Sequence, residues 1–254
     1  GIVHAHRSAA HAHVFARDVL GATPADVFYS TSKLFFAYPL ANALFAGLRL
    51  GASVVLDAEW PNPERVARNV ARYCPTLFFS VPTLYRRLTE AGVSFASLRR
   101  AVSAGEACPP DVAEAWLRLT GLSLVNGYGT TETLALVLYR IADMPGIRAT
   151  PLPQVRGDAE EGGRDGAVRL WFSHPGVALG YSRVVTHDSA CFGGNAFSPG
   201  DLFRPAGADA AAGWAFAGRS DQLLKVFGRW VDTVALEHVL AQRLQGKVRE
   251  SCIV

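Results

Sequence analysis

Thr76-Leu77-Phe78-Phe79-Ser80-Val81, followed at once by Pro82, decides the fold class of this chain. A continuous apolar run bounded by a helix-opening proline reads as a strand buried on both faces, the kind that parallel sheets contain. Pro82 opens a helix that runs to Glu90. Upstream, Ser53-Val54-Val55-Leu56 is a strand, and Asn62-Pro63-Glu64 supplies an N-cap, a first-turn proline and an early acid for a helix to about Tyr73. Downstream come a strand at Arg99–Ser103, a helix at Pro109–Leu119 and a strand at Leu122–Val125. Such alternation predicts an α/β fold built on a parallel sheet with right-handed crossovers. Ligands of these sheets gather outside the carboxyl ends of the strands. Ser80-Val81-Pro82, Ser103-Ala104-Gly105-Glu106-Ala107 and Gly127–Glu132 each follow a strand, so topology alone predicts that they line one crevice.

The third of these loops carries the most chemistry. Asn126-Gly127-Tyr128-Gly129-Thr130-Thr131-Glu132 combines a permissive turn, a flat aromatic face, two hydroxyls and a carboxylate. Glycine allows a sharp turn and close approach to a ligand. Threonine hydroxyls suit phosphate oxygens, and a lone glutamate suits a hard cation such as Mg²⁺. The stretch reads as a nucleotide site, with a polar surface turn as the alternative.

Elsewhere the pattern is less regular. Residues 1–45 read as helical, with a loop at Ser30–Lys33 and an aromatic-rich apolar run at Leu34–Leu44. Residues 141–165 read as a linker or irregular β segment, and short strands at Val168–Phe172 and Trp214–Ala217 suggest a small all-β unit. A second junction at Gly218-Arg219-Ser220-Asp221 precedes a strand at Gln222–Phe227, a turn at Gly228-Arg229 and a helix at Val234–Leu244. The expected organisation is an α/β core over 1–145, a β subdomain over 146–217, and a hinge with the start of a small α+β C-terminal domain over 218–254. The opening Gly1-Ile2-Val3-His4 and the closing Glu250–Val254 suggest a piece of a longer chain.

Composition narrows the function classes. Half of the 254 residues are hydrophobic and 19% are charged, which excludes a disordered chain. The formal charge of +3 comes from 25 basic and 22 acidic residues mixed along the chain, with no concentrated basic face for nucleic acid. The four cysteines, Cys74, Cys108, Cys191 and Cys252, form no CxxC pair, which suits a reduced cytoplasmic protein. No apolar run has the length of a membrane span, and no signal-peptide layout is visible.

With these segments in order, the chain resembles the acyl-adenylate-forming superfamily of acyl- and aryl-CoA ligases, adenylation domains and luciferases. Four motifs carry the resemblance: Asn126–Glu132, Ser103–Ala107, Phe197-Ser198-Pro199-Gly200-Asp201, and Gly218-Arg219-Ser220-Asp221 with Lys225 and Gly228. Gly180-Tyr181 fits a further element ahead of the third motif. Lys33-Leu34-Phe35-Phe36-Ala37-Tyr38 and the Ser103–Ala107 loop look most like benzoate- and hydroxybenzoate-CoA ligases.

The resemblance implies ATP-dependent activation of an aromatic carboxylate as its acyl-AMP, followed by transfer to coenzyme A. The alternatives are an adenylation enzyme that loads a carrier-protein phosphopantetheine and, outside catalysis, a nucleotide-binding remnant or regulatory subunit. By the same resemblance Gly105, Glu106 and Ala107 would lie against adenine, with Tyr128 stacking on its face and Asn126 pairing with its edge. Gly127, Gly129 and Thr130 would shape the loop around AMP. Asp201, assisted by Arg219, would accept the ribose hydroxyls. Thr131 would bind the α-phosphate and Glu132 the Mg²⁺, Asp221 would be the hinge of a mobile C-terminal domain, and Lys225 would reach the site in one of its orientations. A solvated strand lysine is the alternative for Lys225, and a loop-ordering acceptor the alternative for Glu106.

The acid pocket would be lined by Phe36, Ala37, Tyr38, Ala104 and Leu136, with Phe35 in the core. No carboxylate stands there to pair with an α-ammonium, so an aryl acid fits better than an amino acid. Some features depart from the family. Ala135 replaces a histidine of benzoate ligases, Ser198-Pro199 replaces the usual pair before Gly200-Asp201, and Thr150–Gly166 is short. The family's Gly-, Ser/Thr- and Lys-rich phosphate loop would precede Gly1, and its C-terminal catalytic lysine would follow Val254. His4-Ala5-His6 and His11-Ala12-His13 do not make a metal site, since i and i+2 on a helix point apart.

Overall fold

The computed structural model describes residues 1–142, 144–159, 166–182, 191–207, 213–219, 223–226, 229–232, 236, 239–240 and 243. Strand β1 (Ile2–Val3) is followed by helices α1 (His6–His11) and α2 (Val14–Asp18). Among the described residues the main sheet has seven strands: β2 (Val27–Ser30), β3 (Ser53–Val55), β4 (Leu77–Ser80), β5 (Arg100–Ser103), β6 (Leu124–Tyr128), β7 (Leu138–Arg140) and β8 (Arg148–Ala149). Their spatial order is β3-β2-β4-β5-β6-β7-β8. The five strands from β3 to β6 run parallel, and β7 and β8 add antiparallel partners.

The period of two along each strand sorts its side chains between two helical layers. Leu77 and Phe79 face one way, into a core with Phe15, Ala16, Phe28, Ala43, Ala46, Val102 and Val125. Phe78 faces the other, with Tyr29, Ala101, Leu124 and the buried stripes of α5 (Pro63–Tyr73), α6 (Pro82–Glu90) and α7 (Pro110–Thr120). Each stripe follows helical spacing, Val66 and Val70, Leu84 and Leu88, Val112 and Trp116. Asn62 caps α5 as expected, its side chain accepting from the Arg65 N–H at 2.8 Å.

In the first 160 residues several expectations need correction. Residues 1–45 are not helical throughout, because β2 lies among them and sits between β3 and β4 inside the sheet. A four-residue strand buried on both sides has no alternation to separate it from a buried helix. Strand β6 continues through Asn126, Gly127 and Tyr128, which were expected to form a loop. They pair antiparallel with β7, so ladder partners override the weak strand propensity of Asn and Gly. Within the irregular stretch, β9 (Gln154–Ala159) is a regular strand.

Strand β9 pairs with β10 (Val168–Ser173) in a second, antiparallel sheet. Strand β11 (Gly180–Tyr181) leaves that sheet to pair with β1. Strands β12 (Phe192–Gly193), β13 (Ala196–Phe197), β14 (Asp201–Pro205) and β15 (Trp214–Arg219) complete the second sheet in the order β12-β13-β10-β14-β15. Val137 and Leu138 meet Leu170, Phe172 and Phe203 in a buried cluster that joins the two sheets. Strands β16 (Leu223–Val226) and β17 (Arg229–Asp232) form an antiparallel pair. Arg229 therefore belongs to a strand, whereas it was expected in the turn. Asp221, Gly228 and most of the helix expected at Val234–Leu244 lie outside the described residues.

The amino ends of the parallel strands are tied together opposite the ligand edge. Asp26, just before β2, accepts from Arg99 Nε at 2.7 Å and Nη2 at 2.5 Å, from the Thr76 hydroxyl at 2.7 Å and from the Thr23 N–H at 2.7 Å. Arg99 and then Thr76 and Thr23 hold the Asp26 carboxyl well below its ordinary range against the opposing effect of burial. A carboxyl whose pKa falls on folding contributes stability above its unfolded value and loses it as pH falls. Replacing Asp26 by Asn should cost about 2–3 kcal/mol, since Arg99 keeps a half-buried guanidinium without its counter-charge. Urea unfolding at neutral pH checks this. The gap between variant and parent should then shrink below about pH 4.

Candidate active site

At the carboxyl edge of the parallel strands lies a cavity of about 190 Å³. Its walls include all five expected acid-pocket residues, Phe36, Ala37, Tyr38, Ala104 and Leu136, together with Gly105, Gly129, Thr130 and Thr131. Tyr38 donates its hydroxyl hydrogen to the Val102 carbonyl at 2.9 Å, and burial pushes that phenol well above its ordinary range. It is therefore a fixed neutral wall. Phe35 corrects an expectation: it is 74% exposed and stacks obliquely on Phe36, with ring centroids 4.6 Å apart.

Two wall residues, Asn42 and Leu134, escaped sequence reasoning, and Asn42 does the more to shape the cavity. After the short helix α3 (Ala37–Pro39) the chain winds through a π-helical segment at Leu40–Phe45 before α4 (Ala46–Leu50). Such wider turns often mark functional sites. Asn42, 1% exposed, sits in this segment, donates to the Tyr38 carbonyl at 3.0 Å and accepts from the Leu136 N–H at 3.2 Å. Its amide thereby fixes two walls of the cavity relative to each other. A lone Asn inside an apolar run was the available signal.

The turn after β6 is held by its own threonines. The Thr130 N–H donates to Thr133 Oγ1 at 3.0 Å and the Thr133 N–H to Thr130 Oγ1 at 3.3 Å. Leu134 then takes φ +58°, a left-handed conformation unfavourable for a branched side chain. Gly129 is required by close approach, because a Cβ there would lie 2.8 Å from the Ala135 carbonyl oxygen and 3.2 Å from Leu136 Cα. At Gly127 an added Cβ would meet the movable end of Leu136.

Electrostatic groups gather along the turn. Tyr128 donates its hydroxyl to Asp201 Oδ2, and its ring lies edge-on to Phe203 with centroids 5.7 Å apart. Burial, and then the Asp201 carboxylate beside it, hold that phenol well above its ordinary range, so it stays a donor. The β14–β15 register sets Asp201 opposite Arg219, whose Nη1 donates to Asp201 Oδ1 at 3.0 Å. Asp201 is only 5% exposed. Tyr181 donates to Glu132 Oε1 at 2.7 Å, and the Ala178 N–H to the Glu132 carbonyl at 2.8 Å. His4 Nε2 meets the Thr131 carbonyl at 2.8 Å, so the β1–β11 pairing brings both His4 and Tyr181 against this turn. Neither residue was assigned a role from sequence.

The remaining expected residues fall as follows. Asn126 is half-buried within β6, where it pairs with Arg140. Gly105, at φ +90°, Glu106 and Ala107 are exposed after β5, and Glu106 accepts from the Thr83 hydroxyl at 3.1 Å. Lys225 lies on β16, opposite Trp230. The hinge expected at Asp221 lies outside the described residues. Among the described residues no group of three or more His, Cys, Asp or Glu could hold a metal ion.

The profile of the AMP-binding enzyme family matches residues 1–182. The chain belongs to that family. This AMP-binding chain is 33% identical over 248 residues to 3-hydroxybenzoate–CoA ligase of Aromatoleum sp. (strain CIB), covering 93% of the chain and 47% of the relative. It is 33% identical over 255 residues to benzoate–CoA ligase of Thauera aromatica, covering 94% of the chain and 47% of the relative. Among solved structures it superimposes on a benzoate CoA ligase from Burkholderia xenovorans LB400 with a TM-score of 0.79 at 31% identity, over 95% of the chain and 50% of that protein. The chain thus spans about half the length of the curated relatives it matches.

The two glycines of the β6 end give a paired test. Gly129→Ala must displace backbone and should lower stability by about 2 kcal/mol, while Gly127→Ala should cost less than half of that. By calorimetry the first should lower Tm by about 4–8 °C, at roughly 2–4 °C per kcal/mol for a chain of this size. Equal shifts would remove the close-approach account of Gly129.

Proposed function

We propose that this AMP-binding chain forms the acid-activating centre of an aryl-acid–CoA ligase. The observation that carries the proposal is a small, largely apolar cavity opening directly beside the turn that holds Thr131 and Glu132, with the Asp201–Arg219 pair linked to that turn through Tyr128. The similarity to benzoate and hydroxybenzoate CoA ligases supports the substrate class.

In the proposed reaction a carboxylate oxygen of the aryl acid attacks the α-phosphorus of ATP. A carbon-bound oxygen–phosphorus bond forms, the bond to the bridging oxygen breaks, and pyrophosphate leaves with that electron pair. The thiol of coenzyme A then attacks the acyl carbon, loses its proton, and displaces AMP. The substrate brings its own nucleophile, so the protein's share is positioning and electrostatics. Asp201, preoriented by Tyr128 and Arg219, accepts from the ribose hydroxyls, and Thr131 donates to the α-phosphate. Lys225 is the candidate lysine of the C-terminal part.

Mg²⁺, when bound, screens the phosphate charge during attack. The donor set fits it: Glu132 offers one carboxylate oriented by Tyr181 at the turn, and Mg²⁺ characteristically takes one or two carboxylates with the rest of its shell from phosphate and water. The cavity favours an aryl acid over an amino acid because none of its lining residues carries a carboxylate, and an ammonium there would lose hydration without compensation.

Calorimetric titration tests this on the chain itself. A non-hydrolysable benzoyl-adenylate analogue should bind at least tenfold tighter than its phenylalanyl or hexadecanoyl counterpart; preference for the aminoacyl compound would sink the substrate class. Asp201→Ala should weaken AMP binding by about 2 kcal/mol, or roughly thirtyfold, as one charge-assisted hydrogen-bonding partner is lost. Glu132→Gln should abolish the Mg²⁺ dependence of ATP binding while leaving AMP affinity near that of the parent. An unaltered Mg²⁺ dependence would take the cation away from Glu132.

A further inference from the structure

Glu132 is held at both its backbone and its carboxylate by the short ribbon of β1 and β11 and the residues flanking it. The Ala178 N–H donates to the Glu132 carbonyl at 2.8 Å, and His4 Nε2 meets the Thr131 carbonyl at 2.8 Å. The Tyr181 hydroxyl donates to Glu132 Oε1 at 2.7 Å. The ribbon is itself closely tied. Ile2 pairs with Tyr181 and Val3 with Gly180, the Leu179 N–H donates to the Val3 carbonyl at 2.7 Å, and the Ser182 N–H to the Gly1 carbonyl at 2.7 Å. The Tyr181 ring stands edge-on to Phe192, with ring centroids 5.5 Å apart. Backbone and ring together fix the place of the Tyr181 hydroxyl.

The two carboxylate oxygens of Glu132 are consequently unlike. Oε1 accepts a directed hydrogen bond from Tyr181. Oε2 meets no donor among the described residues, and it is not one of their buried polar atoms that lack a partner, so it keeps accessible surface. The difference bears on which cation a lone carboxylate can serve. Ca²⁺ gathers about six to eight oxygens and readily takes both oxygens of one carboxylate. Mg²⁺ demands a compact octahedron and accepts a single carboxylate oxygen beside phosphate and water. Two-oxygen binding at Glu132 would displace the Tyr181 hydroxyl from Oε1, and a part-buried hydroxyl that loses its acceptor is costly. One-oxygen binding through Oε2 leaves that bond in place.

We propose, on the reading that Glu132 holds the Mg²⁺ of the ligase, that Tyr181 is a positioning residue that selects the cation. Its hydroxyl reserves Glu132 Oε1 and leaves Oε2 as the single oxygen offered to the metal, which favours Mg²⁺ over Ca²⁺. In this role Tyr181 acts through Glu132 and needs no contact with nucleotide or acid. Hydrogen-bonding partners of a metal ligand commonly set its orientation and the affinity of the site. His4 serves the same end at the backbone, since its hold on the Thr131 carbonyl keeps the turn within reach of Tyr181.

Calorimetric titration of the chain with ATP plus Mg²⁺, with ATP plus Ca²⁺, and with AMP free of divalent ions tests this in the parent, Tyr181→Phe and Glu132→Gln. Tyr181→Phe keeps the ring against Phe192 and removes only the hydroxyl. The parent should bind ATP more tightly with Mg²⁺ than with Ca²⁺. In Tyr181→Phe that preference should fall by about tenfold, the effect that losing a ligand's hydrogen-bonding partner has on metal affinity. AMP affinity should stay near that of the parent. Equal weakening with both cations, or a matching loss of AMP affinity, would leave Tyr181 a merely structural role and overturn the proposal. A parent without preference, or an unchanged preference in Tyr181→Phe, would overturn it too. Glu132→Gln separates the two readings: if it retains the Mg²⁺ dependence, the cation assignment of Glu132 itself falls. If it abolishes that dependence while Tyr181→Phe behaves as the parent, only the role of Tyr181 falls.

Discussion

The hydrogen bond from the Tyr128 hydroxyl to the Asp201 carboxylate joins the end of the central parallel array to the start of β14 in the second sheet. This bond and the cluster of Val137, Phe172 and Phe203 join the two sheets next to the turn that borders the crevice. A charge-assisted bond in a buried setting is worth about 1.5–3 kcal/mol, comparable to burying one large apolar side chain. Its directionality matters more than its size. Apolar packing alone would let the sheets slide, whereas a donor aimed at one carboxylate oxygen, with Arg219 on the other, fixes the orientation of Asp201.

The Asp26 network and the cavity occupy opposite edges of the parallel sheet. At the amino edge Asp26, Thr76 and Arg99 bind three strand starts into one network. At the carboxyl edge the backbone departs from regular structure: a π-helical segment around Asn42, a left-handed Leu134 and a glycine pressed against a carbonyl at 129. Conformations of this cost persist only where the surrounding structure enforces them. A well-tied amino edge allows the ligand edge to carry them.

Legibility from sequence followed the strength of periodic signals. The helix Pro82–Glu90 was readable to the residue because a first-turn proline and a clear apolar stripe delimit it. Strand β2 was not, because Val27-Phe28-Tyr29-Ser30 is short, buried and without alternation. Asn126, Gly127 and Tyr128 were read as a loop because their strand character comes from pairing with Leu138–Arg140, a partner that no local rule names. The five residues proposed for the acid pocket do line one cavity, since strand-end topology places them on one edge. Asn42 and Tyr181 were missed as parts of the crevice, because their contacts with Leu136 and Glu132 span long stretches of chain.

The order of strands and helices from Ser53 to Val125, the common edge of their loops and the residue types at that edge were already determined by the amino-acid sequence. They depend on local periodicity, capping and the direction a parallel strand must take. The tertiary structure alone decided that Tyr128 serves as a donor to Asp201, that Phe35 faces outward, and that the Asn42 amide ties Tyr38 to Leu136. Each of these depends on which distant groups share a few ångströms of space, and side-chain hydrogen bonding has no sequence period to reveal it.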